Sequence, residues 1–284
     1  MIISPPNLIS LLTMVLLTTL ADSAQLVLLR CETTIDRNHI IRNSSDIPNP
    51  FIPHYYTPNY RIRNNSDEPN LNLLLSSLTL STPIAGFAAS IVGEPPHKVY
   101  GLAQCRSDIS AESCTSCLVN ASQHLLGSCP YDDGGIAYFD QCAVRYSADN
   151  FFFQLSTLEQ QFVYCKALGP FNQDHLKKQL SYMIKSISQI AAFNETVRMF
   201  ATGVNTQVND GSQVYGMVQC TRDLSEMQCY KCLRQSFYRV SKLFDCRFEG
   251  IAGSLNCLLK YSKVKFFDSD LTWVPPPDPD SNEL

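Results

Sequence analysis

The sequence predicts an α+β protein of two tandem modules, each with two helices packed on a small antiparallel sheet. Three observations lead to this fold class: an internal repeat, an equal division of cysteines between its halves, and alternating helix-like and strand-like patterns within each half. The chain has 284 residues, of which 45% are hydrophobic and 17% charged. That is enough apolar material for one large or two modest cores, so a wholly disordered chain is excluded.

The internal repeat is clearest around a cysteine trio. Residues 99–118 (VYGLAQCRSDISAESCTSCL) and 214–233 (VYGMVQCTRDLSEMQCYKCL) are identical at ten of twenty positions, with a constant offset of 115. The same offset relates Cys142 to Cys257 further along the chain. The repeat therefore predicts a first domain over residues 25–154, a second over residues 160–268, and a disordered, Pro-rich, acidic tail over residues 269–284.

Each module is predicted to run helix, strand, helix, strand, strand. Pro69 marks the start of the first helix in module one, and Asn172 is a plausible cap for its counterpart in module two. Apolar residues at helical spacing follow both positions. The second helix begins at Ser110 in module one and at Ser225 in module two, where Ser225 and Gln228 form a capping box.

β-branched and aromatic residues predict the strands. This composition marks residues 136–146 as a strand, and residues 151–155 and 264–267 as two more. Two helices with a few short strands per module fit a layered α+β arrangement, in which the helices cover one face of the sheet.

The twelve cysteines divide equally between the modules. An even count of this size is typical of a protein that folds in an oxidising compartment with its sulfurs paired. We therefore predict three disulfides per module, with no thiol left for chemistry. The first set is Cys31, Cys105, Cys114, Cys117, Cys129 and Cys142, and the second is Cys165, Cys220, Cys229, Cys232, Cys246 and Cys257.

The repeated C-x8-C-x2-C spacing has two competing interpretations, a redox-active C-x-x-C pair and a zinc site. Each C-x-x-C pair has a third cysteine nine residues upstream, and the two pairs lie 115 residues apart, so structural disulfides are favoured. Cys114 and Cys117 lie on one helix face, from which each can reach a different element. This favours a short loop from Cys105 to Cys114 and a bond from Cys117 to Cys142, although spacing alone leaves many connectivities open.

Residues 1–24 are predicted to be a signal peptide. Residues 8–20 form a mostly apolar run followed by small residues that suit a signal peptidase. A membrane-spanning helix needs about 20 apolar residues, so this run is too short to span well, and a retained anchor is the alternative. No second long apolar run follows, and we expect a secreted protein without a membrane anchor.

Charge and motif content exclude several function classes. The net charge is −4 and no run of Lys and Arg occurs, so nucleic acid and anionic membranes are not expected partners. The five histidines are scattered, without metal-ligand spacing, and no G-x-S-x-G, H-E-x-x-H or phosphate-loop pattern is present. We expect no enzyme activity, no cofactor and no metal.

Four N-x-[ST] sequons predict surface glycosylation in a secreted chain. They are Asn43, Asn64, Asn120 and Asn194. The first two lie between residues 36 and 69, in a polar stretch that we interpret as a long surface loop specific to this protein.

These motifs resemble the plant cysteine-rich repeat secretory proteins, which carry two stress-antifungal domains, also called ginkbilobin-homologous domains. The resemblance rests on the C-x8-C-x2-C trio, the VYGLAQC lead-in and the C-x2-[RK]-Y-S strand, and it covers roughly residues 31–268. It implies a sheet of about five antiparallel strands in each module. It also implies the disulfides Cys31–Cys129, Cys105–Cys114, Cys117–Cys142, Cys165–Cys246, Cys220–Cys229 and Cys232–Cys257.

The single-domain seed member of that family binds mannose through three polar residues. They are an Asn directly after the first cysteine, an Arg six residues before the last, and a Glu five residues after it. The corresponding positions in this chain hold Glu32, Ile136 and Ser147 in module one, and Lys166, Ile251 and Ser262 in module two. An isoleucine side chain offers no hydrogen-bonding group to a sugar hydroxyl, which argues against mannose binding of the family type. The ligand-binding residues are therefore left unassigned.

The predicted function is binding rather than catalysis. We expect a secreted, non-enzymatic protein of the plant apoplast that recognises cell-wall or microbial glycans in defence or stress, through a groove between the modules or a module surface. The alternative is a protein–protein interaction module that partners receptor-like or plasmodesmal membrane proteins, in which the same domain pair occurs. A homodimer joined through sheet edges is a further open alternative.

Overall fold

A computed structural model of the chain describes residues 24–32, 68–129, 133–156, 161–166, 173–197, 199–206, 213–242, 249–269 and 272–275. The chain divides into two compact units: Met1–Cys105 with Ile109–Asn150, and Arg106–Asp108 with Phe151–Leu284. Residues 1–23 of the predicted signal peptide and most of the predicted tail lie outside the described residues. Within the described ranges, no helix is both long and apolar enough to cross a membrane.

The first unit is a five-stranded antiparallel sheet with two helices. Its elements are β1 (Leu26–Glu32), α1 (Glu68–Ala85), β2 (Phe87–Val92), β3 (Val99–Cys105), α2 (Ala111–Ser128), β4 (Gly134–Phe139) and β5 (Cys142–Ser147). The strand order is β1-β4-β5-β3-β2, so the first strand in the chain lies at one edge and the second at the other. Leu74 and Leu78 of α1 and Leu118 and Leu125 of α2 are fully buried in the core between helices and sheet.

The second unit repeats this arrangement. Its elements are β6 (Phe162–Lys166), α3 (Gln173–Phe193), β7 (Phe200–Asn205), β8 (Val214–Cys220), α4 (Glu226–Lys242), β9 (Glu249–Gly253), β10 (Cys257–Ser262) and β11 (Thr272–Trp273). The order is β11-β7-β8-β10-β9-β6. Five strands are antiparallel, and the two-residue β11 adds to the edge parallel to β7. The predicted α+β fold class of two similar modules is confirmed.

The helices start where the sequence predicts. Pro69 is the second residue of α1, where its missing N–H is not needed. The Oγ of Ser110 accepts a hydrogen bond of 3.1 Å from the N–H of Ser113 at the start of α2. At α4, the N–H of Ser225 donates to Gln228 Oε1 at 2.9 Å, and the N–H of Gln228 donates to Ser225 Oγ at 3.3 Å. The capping box is confirmed, while Asn172 lies outside the described residues.

The strand predictions are partly wrong. Residues 136–146 are not one strand but most of a hairpin, β4 and β5. Residues 151–155 form a turn, because the N–H of Phe153 donates to the Asp223 carboxylate at 3.0 Å and its carbonyl accepts from the Gln228 amide at 3.0 Å. Residues 264–267 are irregular; Phe267 is buried against Tyr215, at 6.0 Å between ring centroids. In each segment one aromatic side chain, Phe151 or Phe267, is buried without strand pairing.

Glycines on the helix side of each sheet allow the first helix of the unit to approach closely. A Cβ at Gly101 would lie 2.6 Å from Leu74 Cδ2 of α1. A Cβ at Gly216, the equivalent position in the second unit, would lie 2.6 Å from Met183 Cε of α3. The two glycines are 115 residues apart, so the repeat preserves this close helix–sheet contact.

Five disulfides lie within the described residues, with Cα–Cα distances from 5.4 to 6.1 Å. They are Cys31–Cys129, Cys105–Cys114, Cys117–Cys142, Cys220–Cys229 and Cys232–Cys257, five of the six pairs that the family resemblance implies. The sixth implied pair, Cys165–Cys246, falls outside the described side chains. Both sulfurs of each C-x-x-C pair are bonded to cysteines elsewhere, so neither pair is a dithiol or a zinc-binding thiolate pair.

Candidate ligand-binding face

Strand register brings together the three positions of module one at which the family's single-domain member binds mannose. Glu32 pairs with Gly134, and Gly134 pairs with Ser147, so these residues form one row across β1, β4 and β5. Ile136 lies two residues along β4 from Gly134 and therefore on the same face. We call this face, on the side of the sheet away from the helices, the helix-distal face. Along each strand its residues alternate with those that contact the helices.

The second unit repeats this register. Lys166 pairs with Glu249, and Glu249 pairs with Ser262, which forms the equivalent row across β6, β9 and β10. Ile251 lies two residues along β9 from Glu249. The two modules therefore place these three positions in the same register, although the residue types differ from those of the single-domain member.

At these positions in module one, Ile136 and Ser147 are buried and Glu32 is ion-paired with Arg145. Ile136 is 1% exposed, and Ser147 is 8% exposed. The Arg145 guanidinium lies 3.7 Å from Glu32 Oε1, which pairs the two charges across the face. Gly134 leaves room for this pair, because a Cβ there would lie 3.0 Å from Glu32 Oε2. The charged groups at this position are therefore engaged within the protein.

The second unit has an equivalent ion pair with the acidic residue on a different strand. Glu249 occupies the position that Gly134 has in module one, and Lys260 occupies that of Arg145. Lys260 Nζ lies 3.6 Å from Glu249 Oε1 and 4.6 Å from the centroid of the Phe266 ring. The ammonium group thus has both a carboxylate and an aromatic ring as partners. Ile251 is also buried, at 8% exposed.

Three residues of this face were not predicted from the sequence: Arg145, Glu249 and Lys260. A signal for the two basic residues was present in the C-x2-[RK]-Y-S motif. Strand periodicity places residues two apart on the same face, so the basic residue shares a face with the serine two residues later. The carboxylate that pairs with the basic residue comes from β1 in module one and from β9 in module two. Only the structure identifies these acidic partners.

Two tyrosines are buried in the sheets. Burial raises the pKa of Tyr138, on the helix-distal face of β4, and the pKa of Tyr261, on the helix side of β10, above the ordinary value of 10.0. Both phenols are therefore neutral at physiological pH and serve as packing groups. Tyr146, which occupies the position of Tyr261 in module one, donates a buried hydrogen bond of 2.7 Å to the carbonyl of Cys129.

Two of the four predicted glycosylation sites fall within the described residues. In the part of the chain that the structure describes, no group of three His, Cys, Asp or Glu could hold a metal ion. Asn194 is exposed after α3, and its Oδ1 accepts from the Thr196 N–H at 3.0 Å and from the Thr196 hydroxyl at 2.7 Å. Asn120 is half-buried within α2, and Asn43 and Asn64 lie outside the described residues. Glycosylation at all four sequons stays a prediction.

Comparisons with known proteins agree with the duplicated fold. A family model described as "Salt stress response/antifungal" matches residues 56–149 and 164–264, once in each module. Cysteine-rich repeat secretory protein 38 of Arabidopsis thaliana is 34% identical over 200 residues, covering 70% of this chain and 78% of that protein. An antimicrobial ginkbilobin-2-like protein of Castanea crenata is 31% identical over 200 residues, covering 70% of this chain and 81% of that protein.

A solved structure shares the fold. The tandem DUF26 ectodomain of the Arabidopsis thaliana cysteine-rich receptor-like protein PDLP8 superposes with a TM-score of 0.63. The match covers 84% of this chain and 98% of that ectodomain, at 22% sequence identity. At this identity the comparison shows the arrangement of two α+β modules and nothing about ligand.

Proposed function

The chain belongs to the salt stress response/antifungal family, and we propose that it is a secreted, non-enzymatic binding protein of the plant apoplast that recognises another protein. Family membership supports the binding role, since both modules match the family and the relatives include a secretory and an antimicrobial protein. The described disulfides support a rigid scaffold, which lowers the entropy cost of binding.

The chemistry of the helix-distal faces supports a protein partner over a sugar. A sugar site needs donors and acceptors that are free to bond with hydroxyl groups. At the family's mannose positions, Ile136 and Ile251 are buried, and the charges next to them are paired inside the protein. The isoleucine found at this position in both modules is the observation that supports the proposal, because its side chain cannot make the hydrogen bonds that the single-domain mannose-binding member makes there.

A binding panel tests the proposal. The oxidised full chain is immobilised and presented with recombinant ectodomains of plant receptor-like proteins, and in parallel with an array of plant and fungal glycans that includes mannan. We expect saturable binding to at least one ectodomain, and none to mannan. The reduced and alkylated chain serves as a control for folded structure. Glycan binding that free mannose displaces would contradict the proposal.

Secretion is tested separately. The apolar run at residues 8–20 and the disulfides support export into an oxidising compartment. We expect plant cells that express the full sequence to release a protein whose first residue is Gln25. A protein that keeps residues 1–24 and stays with the membrane fraction would show instead that the apolar run is a retained anchor.

A further inference from the structure

The helices of the two units differ strongly in charge. Together, α3 and α4 contain seven Lys and Arg residues and two acidic residues. In contrast, α1 and α2 contain two acidic residues and no Lys or Arg. The whole chain carries a net charge of −4, so the basic helices of the second unit stand out against an acidic protein.

Much of this difference lies on one exposed face of α4. Residues spaced three or four apart share a helix face, and this spacing links aromatic, basic and thioether side chains along α4. Met227 and Tyr238 are 65% and 62% exposed. From Tyr230 to Lys242 the helix rises about 18 Å, a length suited to a macromolecular contact. The α4 stripe is Met227, Tyr230, Lys231, Arg234, Tyr238 and Lys242.

Contacts within the α4 stripe hold its side chains in place. The Arg234 guanidinium carbon lies 5.8 Å from the Tyr230 ring centroid, and Lys242 Nζ lies 5.0 Å from the Tyr238 ring centroid. The Phe193 ring at the end of α3 lies 5.4 Å from the Tyr230 ring. Because cation–π and ring contacts restrict these side chains before binding, less side-chain entropy is lost on binding.

The positive charges of the stripe have no carboxylate partner among the described residues. Some basic side chains elsewhere do: Arg145, Lys260 and Lys265 each lie within 4 Å of a carboxylate oxygen. For Lys231 and Arg234, which are exposed, no such ion pair is found within the described ranges. Their charge is therefore available to an acidic partner.

The equivalent helix of the first unit shows that the fold does not require these residues. Like α4, α2 supplies two cysteines for disulfides and a fully buried leucine, Leu118 in α2 and Leu233 in α4. At the offset of 115, however, the stripe positions of α2 hold uncharged and non-aromatic side chains, with one acidic exception. These are the acidic Glu112, then Thr115, Ser116, Val119, Gln123 and Gly127. Tyr230 also packs against the core of the second unit. The exposed Lys231, Arg234 and Tyr238 have no equivalent in the first unit, so the fold that the two units share does not account for them.

We propose that the α4 stripe is the surface through which this chain docks onto an acidic face of a protein partner. The inference rests on the proposed function and names its site and the chemistry of the partner. Tyr, Met and Arg are enriched in the buried centres of protein interfaces, and the exposed stripe combines all three. The surface is a helix face with apolar area between its charges, whereas a sugar site is normally concave. Carboxylates of the partner pair with Arg234 and Lys231.

The experiment uses a displayed library of random peptides of about 12 residues, a length that matches the stripe in helical form. The target is the oxidised full chain. The stripe variant is Lys231→Glu/Arg234→Glu. The matched control is Lys185→Glu/Lys265→Glu, which has the same net charge as the stripe variant but leaves α4 unchanged. Melting temperature and a non-reducing gel check that each variant is folded and oxidised.

We expect the native chain to enrich peptides rich in Asp and Glu, with binding that weakens as salt rises. The stripe variant is expected to lose about tenfold or more in affinity for these peptides, and the control variant to keep it. A Tyr238→Ala variant, which keeps every charge, is expected to lose about fivefold because it removes an aromatic contact.

Peptides that bind the native chain and the stripe variant equally would overturn the inference. The native chain is also presented with oligogalacturonate and with vesicles of phosphatidylserine and phosphatidylcholine in equal amounts. Preferential binding to either one that the stripe variant abolishes would also overturn the inference, because the stripe would then bind a glycan or a lipid. If an ectodomain from the panel binds native chain and stripe variant alike, the proposed function stands and this surface is wrong. If no ectodomain binds the native chain, the proposed function itself fails.

Discussion

Removing the disulfide that closes the longest loop is expected to destabilise the first unit more than removing the one that closes the shortest. Cys31 and Cys129 are 98 residues apart in sequence, while Cys105 and Cys114 are nine apart. In the loop-entropy treatment, a disulfide stabilises by restricting the unfolded chain, by about 4.7 kcal/mol for the long loop and about 2.7 kcal/mol for the short one. The expected difference is about 2 kcal/mol.

The comparison uses two double variants, Cys31→Ala/Cys129→Ala and Cys105→Ala/Cys114→Ala. Each removes two sulfur atoms, so the two variants lose similar amounts of side-chain volume. Cys31 is half-buried whereas Cys105 and Cys114 are almost fully buried, so packing loss alone would make the short-loop variant the less stable one. A greater loss in the long-loop variant therefore reports the entropy of the unfolded chain.

The free energy of unfolding is measured from native-state hydrogen exchange of peptides from α2 and β4, which reports on the first unit. Denaturant unfolding of the full chain provides a second value. Peptides from α4 serve as an internal control for the second unit. If the short-loop variant proved equally or more destabilised, the loop-entropy reasoning would be refuted, and native-state packing around the sulfurs would account for most of the stability that each disulfide contributes.

Three further perturbations follow from single contacts. Ser225→Ala removes the hydrogen bond from the Gln228 N–H to Ser225 Oγ, one half of the reciprocal cap of α4, and is expected to cost about 1 kcal/mol in denaturant unfolding, while an unchanged free energy would show that this half of the cap contributes nothing. Gly250→Ala places a Cβ 2.5 Å from the buried ring of Tyr261 and is expected to cost about 1–3 kcal/mol, whereas Gly127→Ala, with open space around it on α2, is expected to stabilise by about 0.5–1 kcal/mol. Equal thermal shifts for these two variants would contradict the steric argument. Burial raises the pKa of Tyr138 and Tyr261 above 10.0, so the native state holds these phenol protons more tightly than the unfolded chain does, and the contribution of these two groups to stability is constant below pH 10 and falls above it. Tyr138→Phe is expected to reduce this alkaline loss, as followed by tyrosinate absorbance and by denaturant unfolding, and an identical alkaline profile in that variant would rule Tyr138 out as a source.

The sequence predicted the elements whose signals are local. Ser110 and Ser225 marked helix starts because capping depends on residues within one turn, and the offset of 115 identified the second module from the first. The edge strands β1 and β6 were missed, because each pairs with a strand far along the chain and has little alternating pattern of its own. The aromatic residues at 151–155 wrongly suggested a strand, since their backbone is satisfied by side chains of the second unit.

The positions of the candidate site could be predicted from the sequence, but the ion pairs at those positions could not. Counting from the cysteines placed Glu32, Ile136 and Ser147 in the family pattern, and strand register brings them onto one face. The Arg145 partner of Glu32 comes from a strand more than a hundred residues away, so no local pattern could have paired them. The α4 stripe became visible only when the exposure of equivalent helix positions in the two units could be compared.

Each of the five described disulfides joins cysteines of the same unit, and this has a consequence for biosynthesis. If the chain is exported as proposed, Cys142 of the first unit enters the oxidising compartment before Cys220 of the second, so the nascent chain can complete the described bonds of its leading half while the rest is still being translated. The number of sulfurs competing for partners at any moment is thereby halved. Disulfide formation in such a duplicated protein would then proceed in two successive stages, one for each unit. Sequence changes in the second unit would not misdirect cysteine pairing in the first.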